Sequence, residues 1–341
     1  MSNNKKERLG GLQSLRGIAA FAVLFQHVTY YACTAKGIDY APYLRIDFGR
    51  FGVQLFFVIS GFVMAGCMNQ GKSFLWNRAL RIYPAFWLAI LASFALLSNP
   101  YFGWQFDWTS ALLLPSNDLN NSYRVPYWTL VYEIAFYLVT YAIVLLGGSK
   151  EFTARVCVLW LAIIVVASKY VTMNYFAPCA LILVSKWNVY FIFGMLAAIY
   201  LQALKQIPAI ALALVGLALW ATGDAVQNVA PLGSDLMTAG AFSAALMIAI
   251  RTLRLKAAER FGDLSFGVYL MHVPVAVLVI RALIQQFPSI RLSVLWGIAM
   301  VAAFIGATAF GWVEHQMYLL LKKATRLRRP SITPTAQSEG S

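Results

Sequence analysis

Arg16 and His27 lie eleven positions apart in LQSLRGIAAFAVLFQHVTYYAC, residues 12–33, an apolar stretch long enough to cross a bilayer as one helix. At roughly 100° per residue, eleven steps return to within about 20° of the starting face, so both side chains point the same way. Along the axis they stand about 16 Å apart, roughly half the hydrocarbon thickness. Ionisable residues inside a membrane segment are costly, and they face a cavity or a partner. Two readings stay open for this pair taken alone. One is an interfacial arginine that reaches back to the surface, with a histidine satisfied by a hydrogen bond. The other is two members of one buried site.

Three further clusters carry ionisable groups in apolar surroundings. In WNRALRIYPAFW, Arg78 and Arg81 are at i, i+3 and share a helix face. Guanidinium forks bind phosphate bidentately, so Arg16, Arg78 and Arg81 converging at one membrane surface would suit a phosphorylated ligand. Arginines that only set topology are the competing account, strongest for Arg78. In PYWTLVYEIAFY, Glu133 lies inside an otherwise apolar run, where a carboxylate needs a partner or a proton. Its depth of about 10 Å below the outer surface is close to the depth of about 9 Å expected for His27. A His27–Glu133 pair, with the carboxylate orienting the base, is therefore expected; a structural hydrogen bond that Glu133 accepts from Trp128 or a tyrosine is the alternative. In GDLSFGVYLMHVP, Ser265 and His272 are at i, i+7 on one face, with His272 near mid-membrane, either in the site or bonded to a neighbouring helix. Glu314 and His315, near the end of the last apolar run, are expected to be interfacial and structural.

The elements that must hold these residues follow from composition. The chain has 341 residues, 60% hydrophobic and 12% charged, with mean hydropathy +0.68. A soluble domain carries about twice that charge. Long unbroken apolar runs, without alternation, argue against a β-barrel. The fold class is all-α, a polytopic membrane protein with about ten transmembrane helices near 12–33, 51–68, 79–98, 126–146, 154–172, 187–202, 207–223, 234–251, 264–284 and 293–321. The last run is too long for one crossing and is expected to continue as an interfacial helix. A short N-terminal segment (1–11) precedes the transmembrane domain (12–321), and a basic, then disordered tail (322–341) follows it. Lys5, Lys6 and Arg8 before the first run resemble a signal peptide, but no small-residue cleavage site follows, so that run reads as an uncleaved span. With the N-terminus inside, the inner side holds more than twice as many of the 27 basic residues as the outer side, which places both termini in the cytoplasm. The net charge of +14 is accounted for by these topogenic residues and calls for no nucleic acid. Cys33, Cys67, Cys157 and Cys179 and the three histidines show no metal-ligand or disulfide spacing.

At this point LQSLRGIAAFAVLFQH, FGVQLFFVISGFVM, RALRIYPAFW, YWTLVYEIAFY and FGVYLMH, in this order, resemble the bacterial membrane-bound acyltransferase-three family. The likeness covers residues 9–320 and is nearest to the stand-alone exopolysaccharide, O-antigen and Nod-factor O-acetyltransferases. The Arg-x10-His of the first span and the Arg-x-x-Arg of the third are the specific marks. The resemblance implies a ten-helix fold in the bacterial inner membrane. It implies acetyl-CoA as donor, bound from the cytoplasm, and a saccharide acceptor on the outer side; the spacing of the cysteines and histidines already calls for no metal. By this matching Arg16 and His27 take the first motif, Arg78 and Arg81 the second, and Glu133 the polar position of the fourth span; the chemistry of the residues then makes the three arginines the expected holders of the donor's phosphates and His27, oriented by Glu133, the expected base. This chain departs from its relatives at Gln54, where an acid is frequent; a neutral amide stands there and carries no ionised role. Read from the residues alone, a transporter or flippase using the same buried Arg, His and Glu is the rival.

Overall fold

The computed structural model describes residues 3–99, 103–116, 124–171 and 179–327. Among them the chain is all helical. Inside lipid, a backbone without water must satisfy its own hydrogen bonds, and runs of this composition do so as helices. The order is α1 (Asn3–Ala35), α2 (Phe48–Cys67), α3 (Phe74–Leu97), the short α4 (Trp108–Ala111), α5 (Trp128–Leu145), α6 (Lys150–Ala167), α7 (Asn188–Ile199), the short α8 (Leu201–Gln206), α9 (Ala209–Val226), α10 (Pro231–Thr252), α11 (Lys256–Gln286) and α12 (Leu292–Leu327). Short 3₁₀ segments of six residues occupy Met68–Ser73 and Cys179–Val184.

Each of the ten expected spans falls on a helix, and eight of these helices are long and apolar enough to cross a membrane. The other two are α6 and α7. α6 carries Lys150, Glu151 and Arg155 in its first turns, and α7 has only 12 residues. α12 is one helix of 36 residues, about 54 Å, longer than a single crossing requires. α1 also begins earlier than the apolar run, at Asn3, so the basic N-terminal segment is a helical extension of the first span. The tail from residue 328, part of the 99–125 loop with Asp118, and the side chain of Cys179 lie outside the described residues.

Apolar side chains gain little by leaving lipid for one another, so close backbone approach carries much of the packing. Glycines mark the crossings. A Cβ on Gly262 of α11 would lie 1.9 Å from the Gln13 carbonyl oxygen of α1, and one on Gly17 of α1 would lie 2.5 Å from that of Ala258. At the α2–α7 crossing, Gly61 faces the Phe191 carbonyl and Gly194 faces that of Val58 in the same way. The α1–α11 contact is parallel, which brings residues 13 and 27 of α1 beside residues 262 and 272 of α11.

α5 is held from one side by an aromatic cluster. Phe136 stacks on Phe191 at 4.0 Å, Phe57 meets Phe136 edge-on at 5.2 Å, and Trp128 packs on Trp187 at 5.1 Å. Such pairs add about 0.5–1.5 kcal/mol each beyond area burial. They fix the rotation of α5 and so the direction in which Glu133 faces.

Candidate active site

Between α1, α2, α3, α5 and α11 lies a cavity of about 140 Å³. Its polar lining is Arg16, Ser60, Arg78, Arg81, Thr129, Glu133, Tyr137, Ser265 and Tyr269. The three arginines expected to converge are thus brought to one space, Arg16 by α1 and Arg78 and Arg81 by adjoining positions of α3. Their own partners differ. Arg16 donates to Gln13 Oε1 at 3.3 Å, and Gln13 in turn donates to Asp263 at 2.6 Å. Arg78 reaches Cys67 Sγ at 3.7 Å, a weak acceptor, and its Nε is buried with no partner. Arg81 is gripped by Glu314 at 2.6 Å and lies over the rings of Tyr318 and Phe266 at 4.7 and 5.0 Å. The Oγ atoms of Ser60 and Ser265 are also buried without partners. Buried polar atoms are nearly always hydrogen-bonded, so three orphans around one cavity mark a place where a polar ligand completes the set.

Glu314 corrects the sequence reading. It is fully buried and ion-paired, not interfacial. A lone acid within an apolar run is a functional or pairing residue by default, and that signal was present in GWVEHQ.

Glu133 and His27 do not pair. Glu133 accepts from Tyr137 Oη at 2.5 Å, one turn along α5, and faces the arginine cavity. The second histidine occupies the place expected for it: His272 Nε2 lies 3.0 Å from His27 Nδ1. His272 is buried, and its Nδ1 is 3.1 Å from the Val268 carbonyl; His27 Nδ1 is 3.0 Å from the Val23 carbonyl. Both histidines therefore tie their rings to the carbonyl four residues back.

These contacts select the tautomers. A carbonyl can only accept, so His272 Nδ1 carries the proton given to Val268. In the neutral ring its Nε2 is then a lone pair. His27 Nδ1–H is shared between the Val23 carbonyl and that lone pair. His27 Nε2 is left as a free base with no partner among the described residues. Neither histidine lines the arginine cavity. Tyr269 stands between, with its ring 5.9 Å from that of His272 and its hydroxyl 2.7 Å from Thr129 Oγ1. Of the other candidates, Ser265 lines the cavity, seven residues before His272 on α11. Among the described residues no group of His, Cys, Asp and Glu is arranged to hold a metal ion.

Comparison with known proteins gives the family. The Acyltransferase 3 family, described as an acyltransferase domain, matches residues 9–313. The exopolysaccharide production protein ExoZ of Rhizobium meliloti (strain 1021) is 26% identical over 298 residues, which cover 79% of this chain and 88% of that protein. No solved structure matches. A multi-pass helical membrane protein whose family match takes in the arginine cavity and both histidines, the chain belongs to the Acyltransferase 3 family and is an acyltransferase.

Proposed function

We propose that this protein moves an acetyl group from acetyl-CoA, bound at the cytoplasmic end of the helix bundle, to a hydroxyl of an exported or cell-surface saccharide. The membrane would be the bacterial inner membrane, with both termini cytoplasmic. One observation carries the reading. A single cavity has three arginines and orphaned polar atoms around it, and Tyr269 in its wall touches a histidine pair whose tautomers leave one base free. The guanidinium groups of Arg16 and Arg78, with donors to spare, suit the phosphates of CoA. Arg81 adds charge, but its orientation is governed by Glu314.

In this mechanism His27 Nε2 takes the proton of the acceptor hydroxyl as its oxygen forms a bond to the acetyl carbon. The carbon–sulfur bond breaks, and the proton passes from His27 to the departing thiolate. His272 holds the His27 ring in the tautomer that presents Nε2. Glu133, with Tyr137, shapes the polar wall of the donor cavity instead of orienting His27. A covalent route through acetylated His27 would use the same lone pair and would show ping-pong kinetics. Membership of an acyltransferase family sets the transporter reading aside. The relative's name, which speaks of exopolysaccharide production, supports a saccharide acceptor.

The test is purified protein in detergent with acetyl-CoA and saccharide fragments. Thiol release coupled one-to-one to acetyl-sugar formation is expected. Thiol release that never depends on the sugar would remove the acceptor from the proposal.

A further inference from the structure

A second cavity, of about 220 Å³, opens at the end of the bundle where α1 finishes, between the first turns of α2 and α10 and the last turns of α9. Arg45, Asp47, Arg50, Gln54, Trp220 and Asp224 line it, with Gln227, Ser234 and Thr238 at its rim. It is chemically unlike the arginine cavity. Charges of both signs are interleaved with amides and hydroxyls, and aromatic faces are supplied by Trp220 and by Phe51, whose rings meet edge-on at 6.4 Å. A phosphate would find carboxylates there. A polyhydroxylated ring would find both donors and acceptors for each hydroxyl and an apolar face for its carbons.

Gln54 supplies the second, independent observation. Asp235, buried at the base of α10, forms ion pairs with Arg50 at 3.0 Å and Lys186 at 3.6 Å. Tyr190 Oη donates to the same Asp235 at 2.6 Å. Having given its proton to Asp235, the Tyr190 oxygen must accept from Gln54 Nε2, also at 2.6 Å. The amide is thereby locked with its nitrogen toward Tyr190. Its oxygen, on a residue only 1% exposed that lines the cavity, has no partner. A ligand hydroxyl donating to this oxygen would remove a buried unsatisfied acceptor. A neutral amide is suited to that task without an added charge beside Asp235.

The helix that walls this cavity, α2, also touches α1 close in sequence to the histidine. The start of α2 is pressed on α1 one residue before His27. Phe48 meets Phe25 at 5.4 Å, and a Cβ on Gly49 would lie 2.8 Å from Gln26 Cγ. The geometry points to this cavity as the subsite for one neutral sugar ring of the acceptor chain, held by Gln54, Asp224 and Trp220 while a neighbouring ring meets His27. The inference rests on the acyl-transfer reading above and names the part of the site that reading leaves unassigned.

The full chain in nanodiscs is titrated with neutral tetrasaccharides built on glucose, galactose, mannose and rhamnose, and separately with acetyl-CoA. Trp220 is 38% exposed, so Trp220→Ala spares the core; Gln54→Leu is the second variant. Each variant is expected to weaken saccharide binding and raise the acceptor KM at least about tenfold, with acetyl-CoA affinity unchanged. Wild-type protein that binds none of the panel overturns the inference. So do variants that bind sugar as well as wild type. Loss of sugar binding in the variants, with no transfer by wild type, keeps the subsite and removes the transfer reading. Transfer with an unchanged acceptor KM in both variants removes the subsite alone.

Discussion

His27 and His272 are 245 positions apart and share one hydrogen bond, and the consequences of that bond can be measured. If His27 Nε2 is the base, His27→Ala should lower kcat by about 10²–10⁴-fold while acetyl-CoA still binds. His272 touches no reacting atom and acts as a positioning residue. Its removal frees the His27 ring to adopt the other tautomer, so His272→Ala should lower kcat by up to about 10²-fold with little change in either KM. His272→Gln, whose Oε1 can accept from His27 Nδ1–H, should recover part of the loss. A His272→Ala enzyme with wild-type kcat, or one lost only through unfolding and not rescued by Gln, would leave His272 as packing. The arginines divide in the same way. Arg81→Ala strands a buried Glu314 and should cost about 3–5 kcal/mol of stability, seen as a lower melting temperature. Arg78→Ala removes a guanidinium with an orphaned Nε and should raise the acetyl-CoA KM with a near-normal melt. That the arginines share a space was legible, because i, i+3 spacing and a common membrane depth constrain them strongly. The His27–Glu133 pair was misread because depth supplies only one coordinate. The rotation of α5, set by Phe136 on Phe191 and Trp128 on Trp187, turns Glu133 away to the arginines, and no local spacing encodes that rotation.

Helices in this molecule are placed by their smallest residues. The long apolar runs announced ten elements, and the chain forms a helix at each. What the runs could not announce is which faces touch, since a lipid-facing leucine and a buried one read alike. α9 illustrates this: its residues are apolar almost throughout, yet few are buried. The glycines hold the missing information. Gly61→Leu or Gly194→Leu would drive a side chain into an opposing carbonyl about 2 Å from where its Cβ must lie, and should prevent α2 and α7 from docking. Gly297→Ala in α12 meets nothing within 4 Å and should be neutral or stabilising, by up to about 1 kcal/mol from helix propensity. Thermal melts in one detergent separate these outcomes. A Gly61→Leu protein that melts like wild type would mean that α2 and α7 do not cross there.

The whole molecule is polar along its axis. One end carries the arginine cavity and the other the mixed cavity beside Gln54, with the histidine pair between. Acetyl-CoA is made in the cytoplasm, so the donor reading requires the arginine end to face inward. The turn between α10 and α11, with Arg251, Arg254, Lys256 and Arg260, belongs to that end, as positive residues on the inner side would have it. The turn between α9 and α10, at Val229, belongs to the other. Val229 is 88% exposed and Leu255 is 51% exposed, so a cysteine at either can meet a reagent in water. In intact cells, a membrane-impermeant maleimide should modify Val229→Cys, and it should modify Leu255→Cys only after the membrane is permeabilised. Cys33 and Cys157 are buried, so replacement of Cys67 and Cys179 leaves little background. The opposite labelling pattern would turn the arginine cavity outward, away from its donor, and would leave the sugar cavity facing the cytoplasm. Both halves of the proposed reaction would then fail together.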